Sequence, residues 1–344
     1  MAVQDIKDSV ELGKPSLRGN VVAVQPYVRP TDYITASAFS LKMNGYLDEA
    51  RQRRWLSERT VVVFPEYVGA WLVAVGERPG VHRATTVASA MGALARAHPL
   101  AFTRHWLRAG ARDRARAALF RLKAEEMAAA YEATFSALAR TYGVTIVAGS
   151  IILPAPRLEG GRLVAGTGPL ANVAVVYRSD GAAVGLSRKV YPTAEEAAFI
   201  APGRVEDIPV LNTGCGKMGV LVCADAWYPE PYEVLRSKGA EIVAVVSYSP
   251  GDDAWSRPWR GYSGHPAPED VDPADVDVLD EGDAWVKYGM VGRIDSCGAP
   301  WGVQVSLRGR LWDLGSDGTT MVVLGDDTYR TDRVDGAALV NAWL

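Results

Sequence analysis

The chain has 344 residues, 48% of them apolar and 22% charged, with 37 basic side chains against 40 acidic ones and a formal net charge of −3. At roughly 150 residues per domain this is one large or two medium globular domains, and the near-neutral balance excludes the strongly basic face of a nucleic-acid binder. No apolar run approaches the ~20 residues needed to span a bilayer, Met1 to Lys14 carries Asp5, Asp8 and Glu11 where a signal peptide would be basic and then greasy, and three cysteines make no disulfide framework, so the expectation is a cytoplasmic protein with no membrane partner.

In chain order, Asn20–Gln25 (NVVAVQ) reads as a first strand, about Ser37–Ser57 as a helix, and Thr60–Phe64 (TVVVF) as a second strand that runs into Pro65-Glu66. Shorter helices are expected across Thr85–Leu107. Arg112–Tyr142 reads as one long helix, with Leu119, Leu122, Phe135, Leu138 and Tyr142 near helical spacing and Gly143 placed to end it. Val144–Ala148 is a strand ending in Gly149-Ser150. Asn172–Tyr177 and Ala182–Leu186 follow, separated by the turn signal Ser179-Asp180-Gly181. Gly219–Cys223, Ile242–Val246, Gly302–Leu307 and Thr320–Leu324 are further strands. Several of these runs are apolar throughout, as in sheets covered on both faces, while the hairpin signals require antiparallel pairs. A mixed α/β architecture, with sheets sandwiched by helices, satisfies both.

Two segments carry opposite charge. Arg104–Lys123 holds seven Lys or Arg and one acid, Asp113, and reads as a solvated helix face rather than an anion-recruiting lid. Ser263–Asp283 holds eight Asp or Glu, Pro266, Pro268 and Pro273, and no Lys or Arg; it reads as an irregular surface loop. The two are expected to attract one another within or between subunits.

Gly214-Cys215-Gly216-Lys217-Met218-Gly219 matches G-x-G-x-x-G, but a dinucleotide loop follows a strand and opens a helix. Here Val220-Leu221-Val222-Cys223, a strand, comes next, so the glycines are expected to turn a hairpin from Ile208–Leu211. The four histidines and three cysteines show no metal-ligand spacing, so no metal is expected. There is no G-x-S-x-G elbow. Cys223 ends an apolar strand and precedes Pro229 and Glu230, which suit a helix start, so its thiol sits on a strand-to-helix turn. Glu66 ends another apolar strand. Lys189 follows Ala182–Leu186, and Glu196 stands beyond Tyr191-Pro192-Thr193. A charge beside apolar strand ends is costly unless paired.

Phe64-Pro65-Glu66, Lys189-Val190-Tyr191-Pro192-Thr193-Ala194-Glu195-Glu196 and Cys223-Ala224-Asp225 with Pro229-Glu230, in that order, resemble the nitrilase or carbon–nitrogen hydrolase superfamily. The resemblance implies a four-layer α-β-β-α sandwich extending as one domain over 1–344, with a helical insertion around 79–142. It also implies a homodimer or larger homo-oligomer, no cofactor, and a small-molecule amide or nitrile substrate. By the same resemblance Glu66 takes the Cys223 proton and later activates water. Lys189 and the Ala224 N–H stabilise the oxyanion, and Glu196 orients Lys189 or the substrate. An ordinary thiol is only a few per cent thiolate at neutral pH and needs such a base. Tyr67, Tyr191 and Trp227 are candidate pocket residues. Cys-Ala-Asp with Pro-Glu resembles the amidase and carbamoylase branch, whereas Lys189-x-x-Pro192-Thr193-x-x-Glu196 resembles nitrilases; amide hydrolysis is the expectation, nitrile hydrolysis and a non-catalytic binding role the alternatives. Ala224 is smaller than the usual neighbour of the nucleophile, and Arg293-Ile294-Asp295-Ser296 departs from the usual Arg-Ala-x-Glu-Asn stretch.

Overall fold

Strands that are apolar on both faces have to be covered on both faces, and this chain does so by stacking two sheets and backing each with helices. The computed structural model describes residues 5–333 and 335–344; the first four residues of the stretch expected to lack a signal peptide lie outside them. In chain order the main strands are β1 (Ile6–Leu12), β2 (Asn20–Gln25), β3 (Thr60–Phe64), β4 (Thr145–Pro154), β5 (Leu170–Tyr177), β6 (Ala183–Arg188), β7 (Val210–Thr213), β8 (Gly216–Val222), β9 (Ile242–Ser247), β10 (Trp301–Ser306), β11 (Met321–Leu324), β12 (Asp327–Arg330) and β13 (Ala337–Trp343). The first sheet runs β1-β13-β2-β3-β4-β5-β6 and the second β7-β8-β9-β10-β11-β12. Both are mixed: β2, β3 and β4 are mutually parallel, as are β8, β9 and β10, with antiparallel strands outside them.

The helices are α1 (Ala36–Gln52), α2 (Val87–Ala97), α3 (Pro99–Arg108), α4 (Arg114–Tyr142), α5 (Pro229–Ser237) and α6 (Glu281–Tyr288). Successive side chains of a strand point to opposite faces, and the core divides accordingly. Val61 and Val63 of β3 meet Val220 and Val222 of β8 and Ala244 and Val246 of β9 between the sheets. Val62 and Phe64 turn outward onto α1 and α4, among Phe39, Met43, Tyr131 and Phe135. On the far side Val243 and Val245 pack with Leu235 of α5 and Trp285 of α6. Each fully buried Val, Leu or Phe contributes about 1.5–3 kcal/mol. The result is a four-layer α-β-β-α sandwich.

Several details differ from the sequence expectation. The 79–142 stretch is helical, but α4 is part of the sandwich: Met127, Tyr131, Phe135 and Leu138 pack on the first sheet, so what lies outside that layer is the segment before it. Within that segment, α3 buries none of its residues, and Leu100 and Leu107 are 87% and 65% exposed. β4 continues beyond Gly149-Ser150 because the glycine marks a bulge, not an end, and the register shifts there. β1 and β13 had no sequence signal; β1 is an edge strand with a mostly polar, half-buried pattern. The G-x-G-x-x-G run forms the β7–β8 hairpin, with Val210 opposite Gly219.

The charged segments also depart from expectation. Lys123 is buried, 2.7 Å from Glu77, rather than solvated. In the acidic loop, Val271, Val276 and Leu279 pack against the second sheet's helical layer, and Asp270 is held by both guanidinium nitrogens of the buried Arg293, at 2.7 and 3.0 Å. Among the described residues the loop's ion pairs go to Arg260, Lys287, Arg293 and Arg330, and none reaches residues 104–123. No helix of the described residues is long and apolar enough to cross a membrane.

Candidate active site

The carboxyl ends of β3, β6 and β8 deliver three of the candidate side chains, in keeping with the position of sites in α/β sheets. After β3, Pro65 turns the chain and Glu66 points into the protein with 1% of its surface exposed. The bulge at Gly149 grips this turn. Gly149 has φ +69, and a Cβ there would stand 2.1 Å from Pro65 O, so only glycine fits. Ser150 N then donates to Pro65 O (3.3 Å), while Ser150 Oγ accepts from Tyr67 N (2.9 Å). Tyr67 itself is in the left-handed region, φ 63.

Lys189 directly follows β6 and is 2% exposed. Its main-chain N–H donates to Asn172 O at 2.9 Å, fixing the strand end beside β5. Nζ lies 2.9 Å from Glu66 Oε1 and 2.6 Å from Glu196 Oε2. The Asn172 amide links the two carboxylates from the other side, donating to Glu66 Oε1 (2.8 Å) and more weakly to Glu196 Oε1 (3.4 Å). Glu196 also accepts from Thr193 N (2.9 Å) and from the Tyr67 hydroxyl.

Cys223 opens a short 3-10 turn, Cys223–Trp227, between β8 and α5. Its φ of 50 is a left-handed conformation that a non-glycine residue adopts at a cost of roughly 1–3 kcal/mol, a form of strain concentrated at functional sites. Its Sγ contacts Tyr248 O at 3.7 Å and lies in the field of the Glu66 and Lys189 charges. One carboxylate ties this turn to the lysine segment. Asp225 Oδ1 accepts from Val190 N and Tyr191 N, each at 2.8 Å, and Oδ2 accepts from Val222 N at 3.2 Å.

The electrostatics follow from one buried cation between two buried carboxylates. Burial raises the Glu66 carboxyl above its usual range, Lys189 opposes this, and the negative charge of Glu196 adds to the rise. Burial also pushes Glu196 up, but its ion pair with Lys189 overrides that and holds it below the usual range. Burial works to lower the Lys189 pKa, but Glu196 and Glu66 more than offset it and keep the ammonium charged. The Cys223 thiol stands well above its ordinary value, through burial and then Glu66. The centre therefore holds an ionised Glu196–Lys189 pair, a proton-hungry Glu66 and a protonated thiol.

The structure thus gathers Glu66, Lys189, Glu196 and Cys223 in one place, with Tyr67 touching Glu196. Ala224 is half-buried next to the thiol. The Tyr191 ring stacks on Tyr228 at 3.7 Å and its hydroxyl donates to Glu230, so that side chain faces the protein surface. The Trp227 side chain packs with Trp259 (5.7 Å) and Trp285 (4.7 Å), inside the aromatic layer behind the second sheet. Asn172, Asp225 and Tyr248 were not singled out from the sequence. Asn172 had a signal, an amide in an otherwise apolar strand; Asp225 lay inside the quoted Cys-Ala-Asp; Tyr248 had none. Among the described residues no group of three or more His, Cys, Asp or Glu gathers to hold a metal ion.

The sequence profile of the carbon-nitrogen hydrolases matches residues 30–263, a span that includes all four side chains. Over 106 residues the chain is 29% identical to N-carbamoylputrescine amidase of Arabidopsis thaliana, covering 27% of this chain and 35% of that protein. It is 32% identical over 111 residues to a nitrilase of Pyrococcus abyssi, covering 29% of this chain and 42% of the other. A citrullinase of Francisella tularensis is 30% identical over 105 residues, 27% of this chain and 36% of that protein. The matched segments span less than half of each of these relatives. An amidase of the nitrilase superfamily from Nesterenkonia superposes with a TM-score of 0.58 at 15% identity, covering 96% of this chain and 92% of the other. A carbon-nitrogen hydrolase from Helicobacter pylori gives a TM-score of 0.58 at 17% identity, over 94% and 89% of the two chains. These structures share the sandwich. With the profile covering more than half of its length, the chain belongs to the carbon-nitrogen hydrolase family.

Proposed function

We propose that the protein is a thiol hydrolase that cleaves the C–N bond of a small amide through a thioester on Cys223. The observation that carries this reading is the buried Lys189, in ion-pair contact with both Glu66 and Glu196, with the buried Cys223 thiol near enough to feel the charges of all three.

In the first half-reaction Glu66 takes the Sγ proton as sulfur attacks the amide carbonyl carbon. A base with a raised pKa beside a thiol that is itself raised suits concerted transfer rather than a standing thiolate. The oxyanion of the tetrahedral intermediate is met by Lys189 Nζ and the Ala224 N–H; loss of one such donor costs on the order of 10²–10³ in rate. The C–N bond breaks, Glu66 returns its proton to the nitrogen, and ammonia or an amine leaves. In the second half, water gives a proton to Glu66 and attacks the thioester. The C–S bond breaks, Glu66 returns the proton to sulfur, and the acid is released. Glu196 holds Lys189 charged and in place. Among the described residues Asn172 Oδ1 and Tyr248 OH are buried with no hydrogen-bond partner, and a bound amide offers both a donor and an acceptor to such groups.

The test is ammonia release from a panel of amides and nitriles by wild type and Cys223→Ala, with intact-mass detection of an acyl adduct during turnover. The expected result is release and an adduct with amides, both absent in the variant. Equal release by both proteins removes Cys223 from the reaction, and release from nitriles alone converts the reading to nitrile hydrolysis.

A further inference from the structure

Asn172 is the one amide in β5, a strand buried along its whole length, and it is tied to both members of the Glu66–Lys189 pair. Its carbonyl accepts from Lys189 N at 2.9 Å, while its Nδ2 donates to Glu66 Oε1 at 2.8 Å. The same nitrogen stands 3.4 Å from Glu196 Oε1. Carboxylates only accept hydrogen bonds, so these two dictate which way the amide faces. Turned over, it would set Oδ1 against both of them.

The two oxygens of Glu66 are thereby made unequal. Oε1 accepts from Lys189 Nζ at 2.9 Å and from Asn172 Nδ2 at 2.8 Å, one donor for each lone pair. Among the described residues no nitrogen or hydroxyl donor reaches Oε2. An oxygen with both lone pairs engaged is a poor proton acceptor, which leaves Oε2 as the basic atom. Lys189 is divided in the same way: of its three N–H donors, Glu66 and Glu196 take two, and one remains for a substrate oxygen. The residue type at 172 matters as well. A cation there would join Lys189 in holding Glu66 down as a weak base, and a carboxylate would add a third buried anion. A neutral amide fixes the carboxylate without changing the charge of the site.

We infer that Asn172 is a positioning residue for thiol activation: together with Lys189 it occupies Glu66 Oε1, so that Oε2 takes the proton of Cys223 Sγ. The inference rests on the amide-hydrolase reading, in which Glu66 is the base. In the acylation step the S–H bond breaks and its proton passes to Oε2, the sulfur electron pair forms the S–C bond, and the carbonyl π pair moves onto oxygen, toward the remaining N–H of Lys189. Without the amide, the carboxylate turns about its Cγ–Cδ bond and presents either oxygen, and its anion loses a donor that stabilises it.

The experiment follows alkylation of Cys223 by iodoacetamide between pH 5 and 9 in wild type, Asn172→Ala, Glu66→Gln and the double variant, with peptide mass separating Cys223 from Cys215 and Cys297. In this probe reaction the C–I bond breaks, the S–C bond forms, iodide leaves and Glu66 takes the thiol proton. Of the groups that face Glu66, Lys189 stays charged, Glu196 stays ionised, and the hydroxyls of Tyr67 and Tyr248 stay protonated over this range, so the profile reads Glu66 and the thiol. Asn172→Ala should react about tenfold more slowly than wild type at pH 7. Its acid limb should move up by about one pH unit, because the lost hydrogen bond favoured the charged carboxylate. Glu66→Gln should lose at least as much, and the double variant should react no more slowly than Glu66→Gln, since Asn172 acts through that carboxylate. Circular dichroism checks the folds, and Asn172→Ser, whose hydroxyl falls short of Oε1, replaces Asn172→Ala if the latter does not fold. An unmoved acid limb, or losses that add in the double variant, reduces Asn172 to packing and overturns the inference; so does wild-type reactivity no greater than that of Glu66→Gln. The expected pattern of alkylation without turnover of any amide keeps the positioning role and retires the hydrolase reading, while amide turnover with additive losses does the reverse.

Discussion

Lys189 Nζ lies 2.6 Å from Glu196 Oε2, with 2% and 8% of the two side chains exposed, and the six residues between them, 190–195, form the loop beside the site. With Glu66 at 2.9 Å on the same nitrogen, the lysine balances two buried carboxylates. Removing one partner of a buried pair leaves uncompensated charge and costs about 3–5 kcal/mol. Lys189→Met should therefore unfold at markedly lower denaturant than wild type. Adding Glu66→Gln to it should restore part of the loss, because one of the two orphaned charges is gone. Chemical denaturation of the three proteins checks this; wild-type stability in Lys189→Met would show that the carboxylates do not depend on the lysine.

Activity should have an acid limb displaced toward neutrality. Glu66 must be unprotonated to accept the thiol proton, and burial holds its pKa above the ordinary 4.5, with Lys189 only partly offsetting this. As pH falls, Glu66 is protonated earlier than an ordinary carboxyl and kcat/KM drops. Lys189 stays charged well above 10.5, so it contributes no alkaline limb below that value. A pH profile of amide hydrolysis reads both ends. Glu66→Gln should lower the rate at every pH rather than move the limb, and a limb at or below 4.5 would mean that another group titrates.

Asp225 joins the two halves of the site through three main-chain N–H donors, on Val190, Tyr191 and Val222. Burial pushes its carboxyl up to about 7 despite those donors. The folded pKa is thus above the unfolded one, near 3.8, so the stabilisation is complete at low pH and is lost as pH rises through about 7. Asp225→Asn removes that titration and leaves one buried N–H without an acceptor, at about 1–3 kcal/mol. The variant should be less stable than wild type at pH 5, with a shallower loss between pH 5 and 8. Misplacing Lys189 relative to Cys223 should also reduce kcat by about tenfold or more. Amide hydrogen exchange at Val190, Tyr191 and Val222 separates loss of this tie from a global effect: exchange should rise there first. Uniform acceleration would assign Asp225 to general stability alone.

The order glutamate, lysine, glutamate, cysteine was legible because each of the four residues follows or ends a run with a clear pattern. The TVVVF and GVLV segments are buried on both faces, and a charge or thiol at such an end has few structural alternatives. What stayed hidden came from elsewhere. The clamp on Glu66 depends on a bulge at Gly149, which in sequence looks like a strand end. Asn172 is one polar residue in LANVAVVY, and nothing local says that β5 sets it beside a carboxylate 106 residues away. The pairing of β1 with β13 joins the two ends of the chain, a contact no window of sequence contains. For Trp227, nearness to the motif in sequence did not determine which way the ring points, because the 3-10 turn Cys223–Trp227 rotates successive side chains to different neighbours.

Trp227 offers the sharpest separation of packing from recognition. It is 7% exposed, stacked at 20° on Trp259 and edge-on to Trp285 and Tyr262, and its carbonyl accepts from the Tyr262 hydroxyl at 2.9 Å. A side chain enclosed this way contributes through the volume it fills, and a Trp→Ala truncation in a core costs about 3–5 kcal/mol. Trp227→Ala should lose stability of that order, whereas Trp227→Phe, which keeps an aromatic contact with Trp285, should lose much less. The ranking of kcat/KM across a series of linear and branched amides should be the same for wild type and Trp227→Phe, because the ring forms the layer behind the nucleophile turn and not its open side. A change in that ranking with little change in stability would put Trp227 against the acyl group instead.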